Sequence, residues 1–222
     1  MPFGMSSQQM IRLNKLPKPA VLVANETTWS ADYLIYKATG SPKSAARRYR
    51  DGEIKAEVQR ETSDKCAYCE SKVSHTYPGD VEHILPKSAR PDLFVQWENL
   101  TYVCFQCNNE KRDYYEPAQP LLNPYQDDPQ SHVQFLGPMC LEMPGSARGQ
   151  LTVLRLQLSR PPLVERRKDG LEAVLNLARL WIEMPPGPQR DAVRDQVLRY
   201  AEPEAEYSAA VRAFISSFLG WT

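Results

Sequence analysis

The sequence predicts an α+β fold, with a small metal-pinned core of short strands inside a mostly α-helical shell. Three observations carry that expectation. Cys66-Ala-Tyr-Cys69 and Cys104-Phe-Gln-Cys107 form two Cys-x-x-Cys pairs separated by 34 residues, which suits two zinc knuckles with room for a second module between them. The C-terminal third places apolar residues at helical spacing. The 19 prolines among 222 residues favour short elements and many turns.

Taken in order, residues 1–25 hold Pro2, Pro17 and Pro19 without a sustained period and read as an extended arm. A helix is expected over Ala31–Thr39, stopped by Gly40. Pro42 can open a second, with Lys43, Arg47, Arg48, Arg50 and Lys55 on its surface. That basic run reads as a solvated helix face or as one that contacts phosphate or a partner. Residues 61–115 are the cysteine- and histidine-bearing core. Asn123-Pro124, Asp127-Asp128-Pro129 and Gly145 signal turns, and Leu151–Leu158 alternates like a strand.

The remainder reads as helical. Leu171, Val174, Leu175, Ala178 and Trp181 share one face, ended by Pro185-Pro186-Gly187. Another helix is expected over 189–201. A last one opens at Pro203, with Tyr207, Ala210, Val211, Phe214 and Phe218 as a core stripe. The chain therefore divides into 1–60, an arm and basic helices that dock a partner; 61–115, the core; and 116–222, a turn-rich linker, a short strand and helices.

Lys+Arg and Asp+Glu are both 27, giving zero net charge. This argues against a stand-alone, non-specific nucleic-acid binder but not against a local site. The charge is unevenly spread, at +5 over 1–60, −3 over 61–115 and −2 over 116–222. Ala20–Ala24, the longest early apolar stretch, is too short for a signal core or a membrane span. The expected location is the cytoplasm, where Cys-x-x-Cys pairs read as metal ligands rather than disulfides.

Cys66, Cys69, Cys104 and Cys107 suffice for a closed tetrahedral zinc site of structural role. Cys140 reads as a small buried apolar side chain, Trp97 as core and His75 as a loop residue, while His132 shows no evident partner. Between the pairs lie Asp80-Val-Glu-His-Ile-Leu-Pro-Lys87 and Trp97-Glu-Asn-Leu100, and Cys107-Asn-Asn-Glu-Lys111 closes the run. An unperturbed imidazole titrates near neutrality, so His83 can take a proton from water. Glu82 precedes it on an expected strand. Successive strand side chains point to opposite faces, so the two converge only on a twisted or irregular backbone.

The order and spacing of these residues resemble the HNH nuclease motif over Cys66–Asp113. With the downstream Leu122-Asn-Pro-Tyr-x-Asp-Asp-Pro129, the chain resembles PtuB-like HNH proteins, a family that includes the nuclease subunit of Septu antiphage systems and of some retron defence systems. The resemblance implies a ββα-metal core and metal-dependent endonuclease activity on nucleic acid, DNA being favoured over RNA such as tRNA. It also implies a partner ATPase of the ABC/SMC type, PtuA, and in some systems a retron RNA or DNA component.

By the same resemblance Glu82 and Asn108 hold the catalytic ion, with Asn109 as the alternative ligand. His83 is the general base, and Asn99 orients the His83 backbone. Lys111, one turn after Asn108, contacts phosphate, braces the motif or is a plain surface lysine. Two departures matter. HNH proteins often have Asp or His where Glu82 stands and His where Asn108 stands. Two hard oxygen ligands without an imidazole favour Mg²⁺ or Mn²⁺ over Zn²⁺ at that site. The reading from another class is a catalytically silent zinc module that binds nucleic acid or protein.

Overall fold

The computed structural model describes residues 12–75 and 77–221. Residues 1–11 of the expected arm lie outside the described residues. Residues 13–125 form one compact unit and residues 126–221 another.

The first unit is built on a ββα core. Strand β1 (Asp80–His83) pairs antiparallel with β2 (Leu100–Val103), setting Glu82 opposite Thr101 and His83 opposite Leu100. A short helix, α3 (Phe105–Lys111), follows β2 and packs on β1. Gly79 leads into β1 with φ 69, where a Cβ atom would lie 2.3 Å from the Tyr102 ring. Only glycine allows both the left-handed backbone and that close approach.

Helices α1 (Ala20–Thr39) and α2 (Gly52–Glu61) surround this core. Helix α1 buries Leu22, Trp29 and Tyr33, positions that share one helical face. It ends at Gly40, whose φ of 75 gives the left-handed cap the sequence predicts. The helix starts earlier than Ala31, because Pro19 supplies the extended backbone of an N-cap (φ −63, ψ 150). The basic run is likewise not one helix. A 3₁₀ segment, Ala45–Arg50, precedes α2, and the Asp51 carboxylate caps α2 by accepting from the Glu53 amide at 2.9 Å.

The extended arm does not run to residue 25, and residues 15 and 16 of it are fixed to the core. Trp97 Nε1 donates to the Leu16 carbonyl oxygen at 2.7 Å. The buried Glu61 carboxylate accepts from the Leu16 amide at 2.8 Å and from Lys15 Nζ at 3.1 Å. The Tyr125 hydroxyl also donates to Glu61. A buried carboxylate is tolerated because each of these donors offsets its lost hydration. Removing residues 1–25 would therefore strip core contacts and not only a docking tail.

In the second unit β3 (Val133–Leu136) and β4 (Met139–Glu142) form an antiparallel hairpin, with Gly137-Pro138 at the turn. The strand expected over Leu151–Leu158 is instead helix α4 (Ala147–Arg155) and the turn after it. Its N-cap Ser146 accepts from the Gly149 amide at 3.0 Å, and Thr152, Val153 and Leu156 form the buried face while Leu154 is exposed. His132 has a partner, its Nδ1 lying 2.7 Å from the Ser146 hydroxyl oxygen. Cys140 is buried, as its lone position suggested. Helices α5 (Pro161–Glu183), α6 (Pro188–Arg199) and α7 (Ser208–Leu219) pack around Leu171, Val174, Val197, Val211 and Ile215. Helix α7 begins five residues after Pro203, and Phe218 of the expected core stripe is 49% exposed.

Candidate active site

The two cysteine pairs come together beside the ββα core. The first sits on a tight turn in which the Cys66 amide donates to the Ser71 carbonyl and the Glu70 amide to the Cys66 carbonyl, with Glu70 at φ 63. The second opens α3, where Cys104 occupies the N-cap and accepts from the Cys107 amide at 3.4 Å. All four sulfur atoms lie within 4.8 Å of one another, and Cys69 Sγ and Cys104 Sγ are 3.8 Å apart. A tetrahedral ion with Zn–S bonds of about 2.3 Å separates its sulfurs by about 3.8 Å, so this donor set fits structural zinc. In the absence of an ion, burial pushes the Cys66 thiol up, and contact with Cys104 pushes up Cys107. Ligation reverses that tendency, because a metal binds the thiolate.

His83 occupies an aromatic nest. Its ring stacks on Phe94, with centroids 5.7 Å apart, and meets Tyr49 at 4.5 Å. Tyr33 covers the other part of Phe94 at 3.6 Å. His83 Nε2 lies 2.8 Å from the Phe94 carbonyl oxygen. A carbonyl only accepts, so Nε2 carries the proton and Nδ1 keeps its lone pair. Burial lowers the His83 pKa to about 3, with the positive charges of Lys87, Lys111 and Arg50 adding to the effect and the Phe94 hydrogen bond opposing it. The imidazole is neutral and its tautomer is fixed.

The alternation of β1 puts Asp80 and Glu82 on one face and Val81 and His83 on the other. Helix α3 supplies a partner to each acid. Asn108 Nδ2 donates to Asp80 Oδ2 at 3.0 Å, and Lys111 Nζ donates to Glu82 Oε1 at 2.8 Å. Asn108 and Lys111 are three apart on the helix and so face the strand together. Lys111 is 1% exposed and also donates to the His83 carbonyl oxygen at 2.8 Å. It is therefore a brace rather than a surface lysine. Burial raises the Glu82 carboxyl above its ordinary range, although Lys111 pulls it back.

Two expectations change in detail. The partner within hydrogen-bond reach of Asn108 is Asp80 rather than Glu82. Asp80 carries no role in the sequence reading, yet its position two residues before Glu82 on a strand was the signal that they share a face. The Asn99 backbone carbonyl accepts from the Ile84 amide just after His83 at 2.8 Å, but its side chain is directed to the following turn. Its Oδ1 accepts from the Leu85 amide at 2.8 Å, and its Nδ2 donates to the carbonyl oxygens of Leu85 and Leu93 at 2.9 and 3.3 Å. Asn99 thus pins the turn after His83. The exposed Asn109 does not share the strand-facing position of Asn108.

Residues 66–113 match the family model described as HNH endonuclease. This chain carries an HNH endonuclease domain. Its HNH segment coincides with the zinc knuckles, β1, β2 and α3. Over most of its length, the HNH segment included, the chain is 27% identical over 220 residues to a Septu protein PtuB of Bacillus thuringiensis, covering 93% of this chain and 82% of that protein. It is 27% identical over 203 residues to a Septu protein PtuB of Bacillus mycoides, covering 71% of this chain and 66% of that protein. The resemblance to PtuB-like proteins thus extends well past the HNH domain.

Proposed function

We propose that this chain is a metal-dependent nuclease of a Septu-type antiphage system, cutting phosphodiester bonds of DNA under the control of a partner ATPase. The observation that carries the chemistry is His83, a neutral imidazole locked by the Phe94 carbonyl within the HNH segment. The likeness to two Septu proteins over most of the chain supports the defence setting and the ATPase partner. No helix among the described residues is long and apolar enough to cross a membrane, which agrees with work in the cytoplasm.

Asp80, Glu82 and Asn108 offer carboxylate and amide oxygens on the face of β1 that meets α3. A set of hard oxygen donors suits Mg²⁺ or Mn²⁺, with Glu82 and Asn108 as the ligands the motif assigns. When bound, such an ion stabilises negative charge on the leaving sugar oxygen. His83 receives the proton of the attacking water at Nδ1, the nitrogen left free by the Phe94 bond. A substrate phosphate beside the ring raises the basicity of His83, because a negative neighbour favours imidazolium. Lys111 fixes the His83 carbonyl and the Glu82 carboxylate, and Asn99 fixes the following turn, so the base and the acid keep their relative positions.

The test incubates the full chain, with and without its ATPase, with plasmid DNA, single-stranded DNA and total RNA. Mg²⁺, Mn²⁺ and Zn²⁺ are supplied separately. Cutting of DNA with Mg²⁺ or Mn²⁺ is expected. Cutting of RNA alone overturns the choice of substrate, turnover with Zn²⁺ alone overturns the choice of ion, and no cutting of any substrate favours the silent binding module.

A further inference from the structure

We propose that Arg50 and Lys87, gathered on the Tyr49 hydroxyl, form a preformed seat for a backbone phosphate beside His83. The inference rests on the nuclease reading. It adds a substrate-gripping element, part of which, Tyr49 and Arg50, lies outside the HNH segment of residues 66–113.

Three observations converge. Arg50 Nε donates to Tyr49 Oη at 2.9 Å, and Lys87 Nζ donates to the same oxygen at 2.8 Å. Both cations also lie against the Tyr49 ring, at 5.3 and 4.1 Å from its centroid. Two like charges meeting at one neutral atom repel each other, and the arrangement is stabilised when an anion joins them. Among the described residues neither Arg50 nor Lys87 forms an ion pair, whereas Lys15, Lys111 and Arg148 each have a carboxylate.

The second observation is Tyr49 itself. It is 4% exposed, and its hydroxyl oxygen accepts from both cations. A phenol has one proton to donate, and that proton has no acceptor among the described residues. The site thus presents two cations that share one neutral oxygen and have no anionic partner among the described residues, together with one phenol proton to donate. A phosphodiester has two non-bridging oxygens and one negative charge, which matches that set.

The third observation is position. The Tyr49 ring lies 4.5 Å from the His83 ring. Lys87 and Arg50 both bond the hydroxyl of that same Tyr49 ring, at 2.8 and 2.9 Å. An anion held at Tyr49 therefore lies next to the base and not on a remote surface. The seat also specifies where a chain of zero net charge finds its local grip. Arg50 belongs to the basic run for which the sequence left two readings, and the phosphate-contacting reading is taken up by this one residue.

The test measures binding of the full chain to a short labelled DNA duplex across a range of salt, without added Mg²⁺ or Mn²⁺, with a matching RNA duplex as a second arm. Arg50→Ala and Lys87→Met are each expected to weaken binding about tenfold and to reduce the slope of log affinity against log salt by about 1. Tyr49→Phe is expected to weaken binding while leaving the slope in place. Arg60→Ala removes the same charge from an exposed arginine paired with Glu57, and should leave affinity and slope unchanged. Zinc content and melting temperature verify that each variant is folded. An unchanged slope in both Arg50→Ala and Lys87→Met, an equal loss in Arg60→Ala, or no salt-dependent binding by the parent chain overturns the seat. Cleavage assays in Mg²⁺ are read separately. Variants that bind normally while His83→Ala fails to cut would sink the seat and spare the nuclease reading, whereas cutting by His83→Ala would overturn His83 as the base and leave the seat to the binding data.

Discussion

The Lys111 ammonium lies 2.8 Å from Glu82 Oε1 and 2.8 Å from the His83 carbonyl oxygen. One side chain of α3 thus ties the Glu82 carboxylate to the backbone of His83, the base of the proposed mechanism. Both residues sit on β1, but their side chains leave opposite faces of it. The lysine anchors the Glu82 carboxylate to the strand backbone at His83, while the His83 ring on the other face is held by Phe94 and Tyr49.

Lys111→Met should therefore cost stability as well as activity. It leaves Glu82 and the His83 carbonyl without their shared donor in a largely buried place. Breaking such a pair costs about 3 kcal/mol or more. Denaturant unfolding should show the loss, and Lys111→Arg should recover only part of it, because a planar guanidinium cannot occupy the ammonium position. Wild-type stability in the methionine variant would show the brace to be unimportant.

His83 should stay neutral in the folded, substrate-free protein at about pH 5, where a free imidazole is charged. Its folded pKa is about 3. The sign follows from proton counting. Between about 6.5 and 3 the unfolded chain binds a proton that the folded chain does not. Stability is therefore complete above the unfolded value and falls as pH drops through that window. Glu82 acts in the opposite direction, because its folded carboxyl is raised by burial. The difference between wild type and His83→Asn isolates the histidine. Nitrogen NMR should show the proton on Nε2, and an Nδ1–H signal would contradict the Phe94 bond.

The four-cysteine cluster should hold one zinc ion per chain. Cys69→Ser should lose it and melt at lower temperature, because the ion joins a turn before β1 to the start of α3. Exhaustive chelation should unfold the 13–125 unit. Metal analysis with a melting curve on the same sample checks both, and a metal-free protein with unchanged melting would refute a structural ion.

Gly79→Ala should be destabilising by about 2–4 kcal/mol, combining left-handed strain with overpacking. The new methyl group would meet the Tyr102 ring at 2.3 Å from a backbone with φ 69. The midpoint of denaturant unfolding reads the effect. A neutral result would mean that the lead into β1 shifts freely.

What the sequence made legible were features with short-range signatures. The cysteine pairs and the Glu82-His83 dipeptide announce themselves by spacing, and Gly40 marks the end of α1 by its backbone freedom. Contacts across the fold were less accessible. Tyr49 and Lys87 are 38 residues apart, and only the packing of the 3₁₀ segment near β1 brings them together. The Asp80–Asn108 pair needed the register of β1 against α3. Leu151–Leu158 misled because its apolar positions fit a period of two almost as well as a helix. The decisive local signal was Ser146, whose hydroxyl caps α4, and Leu154 breaks the alternation by pointing to solvent.

The most direct measurement compares wild type with His83→Ala in cleavage of plasmid DNA, using the full chain with its ATPase in Mg²⁺ or Mn²⁺. Zinc content is matched in the two samples. Removing a general base is expected to slow the chemical step by about a hundredfold or more, with wild type cutting and the variant failing over the same period. Equal cutting by the two proteins would contradict the role of His83 and with it the chemistry assigned to this site.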